Sequence, residues 1–308
     1  MAAAIELDSS NTPRFGVHTG PANTTVDELT TLWQRIEEMP FDWISIWDHF
    51  YAATGQSTHC LDGIVAHTAL AMSTSRVQVG SLVYCAAYRH PGILANAMAA
   101  IDQFSGGRCN FGIGAGWLID EYDAYGFHFP RASDRLDRME ESLKCVEGLL
   151  TGNPFTFEGK YYSLFEAVCE PAPVQRKLPI WVGGGGEVRT LRIAAEHADG
   201  WNVPFISADE FGRKVGVLES HCVDVGRNSA DIVKSVNVGI ATNDDSLNAQ
   251  FGDIAEFVRP GVLIGSPNEI VEQIGAYVDA GAQQINIALR APYDLSLLEH
   301  VSKAIEQF

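Results

Sequence analysis

The stretch Pro179 to Asn202, PIWVGGGGEVRTLRIAAEHADGWN, joins a short apolar strand to four consecutive glycines and then to a helical pattern. Ile180, Trp181 and Val182 are strand formers. Gly183, Gly184, Gly185 and Gly186 let the backbone turn sharply and approach a ligand with no Cβ atom in the way. Between Glu187 and His197, Leu191, Ala194 and Ala195 share one stripe, which predicts a helix over that span. The N–H groups and positive dipole end of such a helix point at whatever lies over the glycines, and a phosphate is the natural occupant. The same glycines also serve a plain strand-to-helix connection, so the rest of the chain has to decide between an anion site and a turn.

On either side of this stretch, strand and helix patterns alternate. Arg14–Gly20 reads as a first strand, followed by a helix from about Thr25 to Met39 with a start signal at Thr24, Thr25 and Asp27. Phe41–Trp47 is a second strand, Ile64–Met72 a helix, Val77–Tyr84 a third strand, and a helix runs from Pro91 to about Phe104. Cys109–Ile113 is the fourth strand. A polar and aromatic insertion follows, then a helix over about Ala132–Leu150, where Leu136, Met139, Leu143, Val146 and Leu150 recur at helical spacing. Tyr161, Tyr162 and Val168 mark a small excursion. Strands near Pro179, Gly200, Val233 and Gln284 complete eight strand-then-helix units, the last helix ending near Glu306. Such an order demands a parallel sheet with right-handed crossovers, and eight units close it into an α/β barrel, a (β/α)8 TIM barrel. It forms a single domain over residues 13–308, after a frayed lead-in over residues 1–12 whose Ser9, Ser10, Asn11 and Thr12 offer little to bury. The insertions at about 117–131 and 152–178 and a loop from Val258 to Ser266 are expected to shape the pocket.

Composition narrows the function. With 21 basic against 39 acidic residues the net charge is −18, which disfavours nucleic acid and anionic membrane surfaces and leaves any phosphorylated ligand to local devices. The six cysteines, Cys60, Cys85, Cys109, Cys145, Cys169 and Cys222, show neither a C-x-x-C pair nor zinc-ligand spacing with histidine, so reduced, packed thiols and no metal are expected. The N-terminus carries no apolar run of signal-peptide length, and nowhere do ~20 apolar residues run together as a membrane span requires. A cytoplasmic protein is expected.

In a closed barrel the chemistry lies at the carboxyl ends of the strands. There stand His18, then Asp48 and His49, then Tyr84 to Arg89, then Gly114 to Trp117, then the glycine run. No dinucleotide-type G-x-G-x-x-G follows the first strand, which argues against a Rossmann domain. An imidazole titrates near neutral pH and can exchange a proton beside a redox centre, while the aspartate next to it orients the ring or holds a substrate group. Asp48 and His49 are therefore candidate catalytic residues, the competing reading being a strand-end cap with a packed histidine. Trp117, Tyr122, Tyr125 and Phe127 form either an aromatic wall for a planar ring or the packing of the insertion.

The segments SIWDHF, VGSLVYCAAYRHP, GGRCNFGIGAGW and IWVGGGGEVRTLRIAAEHADGWN, in that order, resemble the luciferase-like monooxygenase superfamily, with the branch using the deazaflavin coenzyme F420 the most similar. The resemblance runs from about Arg14 to Asn202 and more loosely to the C-terminus. It implies a bacterial luciferase-like barrel, often dimeric, with F420 or FMN at its carboxyl-end mouth. It also implies that Asp48 and His49 match the family's strand-two acid and proton-handling histidine. Ser81, Leu82 and Val83 match a third-strand segment that often contains a non-proline cis peptide, here expected at Leu82 to Val83. Gly114, Ala115 and Gly116 match a backbone contact for the cofactor's chain, and Gly183, Gly184, Gly185, Gly186 and Glu187 match the phosphate loop. The activity implied is hydride transfer between the deazaflavin and a small organic substrate. The alternatives are a monooxygenase using reduced FMN from a partner reductase, and a flavin- or deazaflavin-binding protein without catalysis. Arg89, Arg131 and Arg135 are the candidates for holding the coenzyme's acidic tail.

Overall fold

The computed structural model describes residues 13–52 and 59–308. The expected lead-in over 1–12 lies outside the described residues. Eight parallel strands form the barrel: β1 (Arg14–Thr19), β2 (Trp43–Ile46), β3 (Gln78–Ser81), β4 (Cys109–Gly114), β5 (Ile180–Gly183), β6 (Gly200–Pro204), β7 (Val233–Ala241) and β8 (Gln284–Leu289). Each pairs with the next, and β8 pairs with β1 from Arg14↔Gln284 to Thr19↔Leu289, so the sheet has no open edge within the ring. The expected (β/α)8 barrel is what the chain forms.

Around it lie α1 (Val26–Glu37), α2 (Gly63–Ser73), α3 (Pro91–Ser105), α4 (Ala132–Leu149), α5 (Thr190–His197), α6 (Ala208–Val225), α7 (Pro267–Asp279) and α8 (Leu295–Ile305). α1 starts where the sequence places a cap: the Thr25 side chain accepts from Glu28 N while the Glu28 carboxylate accepts from Thr25 N. Its buried stripe of Leu29, Leu32, Trp33 and Ile36 faces the strands, each side chain contributing roughly 1.5–3 kcal/mol of burial. α3 begins with Pro91 at its first turn and ends on Gly106 in the left-handed conformation.

The barrel interior is filled, not hollow. Trp43 and Trp181 meet with ring centroids 5.0 Å apart, and Leu82 and Val233 pack with them. The rings need bare backbone opposite: a Cβ on Gly80 would lie 2.2 Å from Trp43, and one on Gly200 2.3 Å from Trp181. Beside these rings a polar layer satisfies itself, with the Asn202 and Asn286 side-chain amides both donating to Ser235 Oγ and Asn237 Oδ1.

Three expected elements differ. The third strand stops at Ser81 instead of continuing to Tyr84, because the Ser81 hydroxyl takes over the ladder, donating to Gly112 O at 3.1 Å and accepting from Gly112 N at 3.0 Å. A cis bond joins Leu82 to Val83, and Tyr84–Cys85 then resumes pairing with the end of β4. The helix expected from Glu187 begins only at Thr190, after a turn in which Leu191 N reaches back to Gly186 O. The expected loop at Val258–Ser266 contains a short strand, Val262–Ile264, parallel to the end of β7, since a β-branched and apolar run there has an edge to join. The insertions carry a short helix, Ile119–Ala124, and an antiparallel hairpin, Phe155–Glu158 with Ser163–Ala167.

Candidate active site

β2 delivers Trp47, Asp48 and His49 to the mouth, and the first insertion meets them there. Glu121, fully buried on the Ile119–Ala124 helix, holds the His49 ring: Glu121 Oε2 lies 2.9 Å from His49 Nδ1. The Phe50 and Tyr51 N–H groups donate to Glu121 Oε1 at 2.6 and 2.9 Å, and the Tyr88 hydroxyl donates to Oε2 at 2.6 Å. Burial pushes the Glu121 pKa up, but the bonds from His49, Tyr88 and the backbone outweigh it and hold the group below the usual carboxylate value. An ionised Glu121 only accepts, so Nδ1 carries the hydrogen and Nε2 is the nitrogen left to exchange a proton. The indoles of Trp47 and Trp117 stand edge-on to the imidazole at 5.2 and 5.8 Å.

Asp48 turns away from this pair. Its Oδ2 accepts from Cys85 N at 3.1 Å and from Arg89 Nη1 at 2.7 Å, and Arg89 Nη2 donates to Asp62 Oδ2 at 2.6 Å. Burial raises the Asp48 pKa despite the neighbouring guanidinium. The carboxylate that orients the imidazole is thus Glu121, while Asp48 ties β2 to the chain after β3 and to the start of α2. Sequence reasoning missed Glu121 because it lies 72 residues from His49 in an insertion whose acids look alike. The same contacts engage Arg89 with two carboxylates. Arg131 pairs with Asp134, and Arg135 donates to Gly116 O and Pro130 O while lying over the Phe129 ring.

His18 is buried, with Nδ1 2.9 Å from Ser45 Oγ, and burial, aided by the charges of Arg290 and His49, holds its pKa well below the ordinary value. It is a neutral neighbour of the site. Among the aromatic candidates, Trp117 stays 62% exposed beside His49, Tyr122 is buried, and Tyr125 and Phe127 stack on Phe50 with centroids 4.1 and 6.0 Å away.

The third-strand segment and the glycines converge. A Cβ on Gly114 or on Gly183 would come within 2.6 Å of a Val83 methyl, so the Val83 side chain lies against bare backbone of β4 and β5. Leu82 packs below on the two tryptophans, and Ser81 is buried against Gly112. Ala115 O accepts from Tyr122 OH at 3.4 Å, and Gly116, at φ +80°, leaves room for that hydroxyl.

At the glycine loop, Gly184 takes φ +120°, its N–H donates to Asn202 O, and its carbonyl accepts from Trp201 Nε1 at 2.8 Å. Lys214, 7% exposed on α6, donates to Gly185 O at 2.8 Å and to Glu187 Oε1 at 3.1 Å. Arg213 also pairs with Glu187 at 2.8 Å, and hydrogen bonds from Arg213 and Lys214 hold the Glu187 pKa down to about 2. Two cations therefore stand at the loop, balanced there by Glu187 and Glu210, which lies 3.4 Å from Arg213 and 3.3 Å from Lys214. The signal for Lys214 was in the sequence: it falls on the same stripe as Phe211, Val215, Leu218 and Cys222, where an apolar residue belongs.

The family model described as luciferase-like monooxygenase matches residues 6–261. The chain belongs to that family. Its relatives include the F420-dependent glucose-6-phosphate dehydrogenase of Microbacterium testaceum (strain StLB037), 31% identical over 61% of this chain and 55% of that one. In this match the chain spans about half the length of the relative. The protein of the same name from Rhodococcus hoagii (strain 103S) is 26% identical over 84% of this chain and 86% of its own. Among solved structures, an F420-dependent secondary alcohol dehydrogenase in complex with an F420-acetone adduct superposes with a TM-score of 0.85 at 16% identity, covering 96% of this chain and 99% of that one. The last is a likeness of fold. Among the described residues, no helix is long and apolar enough to cross a membrane.

Proposed function

We propose that this protein is an oxidoreductase that uses the deazaflavin coenzyme F420 to oxidise or reduce a small organic substrate. The observation that carries the reading is His49, held through Nδ1 by the buried Glu121 and left with Nε2 at the mouth of the barrel. Relatives named as F420-dependent dehydrogenases support the choice of coenzyme.

The residues present fit such a group. Ser81, Leu82 and Val83 would support a planar ring, since glycine opposite Val83 keeps that surface free of further side chains, and Gly114, Ala115 and Gly116 would offer backbone to the coenzyme's chain. Gly183, Gly184, Gly185, Gly186 and Glu187, with Lys214 and Arg213 beside them, would hold a phosphate. When bound, the coenzyme supplies a ring carbon that gives or takes a hydride. The chain's own part is to fix the geometry, exclude water with the aromatic insertion, and move the accompanying proton through His49 Nε2. Asp48 acts as a positioning residue through Arg89 and Cys85 N. The reading extends to a cytoplasmic location and to a homodimer, and sedimentation of the purified protein tests the second.

The test of activity is the bleaching of the F420 chromophore by a panel of alcohols that includes glucose 6-phosphate and 2-propanol. Coenzyme reduction by a panel member, lost in His49→Ala while F420 binding persists, is the expected result. Oxygen uptake that depends on reduced FMN, with no F420 turnover, would contradict it.

A further inference from the structure

A cavity of about 800 Å³ opens beside the mouth, walled in part by Trp47, by Arg290 at the end of β8 and by the start of α1. Trp47 belongs to both places: its ring meets His49 at 5.2 Å and carries the Arg290 guanidinium carbon at 4.7 Å. Trp47 thus joins the wall of the cavity to the surroundings of His49, which does not itself line the cavity.

Arg290 is a cation that no salt bridge engages among the described residues. Its Nη1 donates to the His18 and Leu289 carbonyls, both at 3.2 Å, and among the described residues no carboxylate pairs with it. Burial draws its pKa down to about 10, the direction expected where a charge lacks compensation. A second donor stands unused: Trp47 is 8% exposed, and its indole N–H finds no acceptor among the described residues. A buried donor without an acceptor is unfavourable by roughly 1–3 kcal/mol, so an arriving acceptor is matched to the site. The acids of the cavity limit what that acceptor is. Asp27 and Glu28 line it too, and a doubly charged phosphate would face both with one cation in its favour, whereas a single carboxylate is matched by one guanidinium.

We propose that Arg290 and Trp47 bind a carboxylate of the substrate, so that the enzyme acts on small hydroxy or oxo acids whose reacting carbon lies beside His49. The substrate class rests on the dehydrogenase reading above. In the oxidising direction His49 would take the hydroxyl proton and the bound coenzyme would accept the hydride of the hydroxyl-bearing carbon, so that an oxo acid would leave with its carboxylate unchanged.

The test is isothermal titration of butanoate and of 1-butanol into the F420-loaded protein and into the apoprotein. The expected result is an affinity for butanoate at least about tenfold above that for 1-butanol. The preference should vanish in Arg290→Gln and fall by a smaller factor in Arg290→Lys, with F420 affinity unchanged in both variants as the check on folding. Equal affinities in the parent, no butanoate binding, or a preference that survives Arg290→Gln would overturn the proposal. Because the apoprotein is titrated as well, a carboxylate preference without F420 binding would sink the coenzyme reading and keep the site, and F420 binding without a carboxylate preference would do the reverse.

Discussion

At the floor of the barrel, Gly80 and Gly200 lie against the rings of Trp43 and Trp181, and a Cβ on either would stand 2.2 or 2.3 Å from an indole carbon. At the mouth, Gly185 meets nothing closer than a Val203 methyl at 3.2 Å and the Lys214 stem at 3.3 Å. The floor glycines are bare because the protein's own side chains fill the space, so the fold itself requires them. A Cβ at Gly185 would ask the Val203 methyl and the flexible Lys214 stem to give by only a few tenths of an ångström, a far smaller demand than at the floor. The same contrast separates the polar groups. In the floor, Asn202, Asn237 and Asn286 satisfy one another, although the Trp43 N–H beside them has no acceptor among the described residues; at the mouth the Trp47 N–H likewise has none there, and no described carboxylate pairs with the Arg290 guanidinium.

If the contrast is right, substitutions at the two ends separate stability from function. The largest effect belongs to His49→Ala, which should lower turnover by roughly 10²–10⁴ and leave the melting temperature and F420 affinity near those of the parent. Equal loss of stability and activity would return His49 to a packing role. Next comes Gly80→Ala, expected to destabilise by about 1–3 kcal/mol or more through overpacking against Trp43, read from denaturant unfolding. A neutral result would mean that the floor is not packed as described. Gly185→Leu should weaken F420 binding by about tenfold or more, or roughly 1.4 kcal/mol, while Gly185→Ala stays within about 1 kcal/mol of parent stability. An unchanged dissociation constant for Gly185→Leu would remove the phosphate-loop assignment.

The smallest effect is a pH slope. Burial holds His67 at a pKa of about 4 and His18 well below the ordinary value, so both are neutral in the folded protein near neutrality. The unfolded chain binds protons at these residues near the ordinary histidine value of 6.5, so stability falls as the pH drops below it and, for His67, goes on falling to about 4. His67→Gln should flatten that slope in acid unfolding curves, and an unaltered slope would mean that His67 is accessible to protons.

Much of the architecture was legible because periodicity reports burial directly. The stripe Leu29, Leu32, Trp33 and Ile36 and the apolar run of β5 each face a layer of the barrel, and counting such strand and helix patterns along the chain gives the closed ring. What failed depended on partners distant in sequence. The helix after the glycines begins late while Glu187 is held by Arg213 and Lys214 of another helix. Asp48 looked like the partner of His49 because it is adjacent in sequence, but adjacent residues at a strand end point different ways, and the ring found Glu121 instead. The resemblance located the bond between Leu82 and Val83, which no local pattern marks.

The central claim, a mouth built for a deazaflavin, is tested most directly by titrating the purified protein with oxidised F420 and, separately, with FMN, following fluorescence quenching of each chromophore. Tight, saturable binding of F420 with little affinity for FMN is the predicted result. Preference for FMN, or binding of neither, would contradict it.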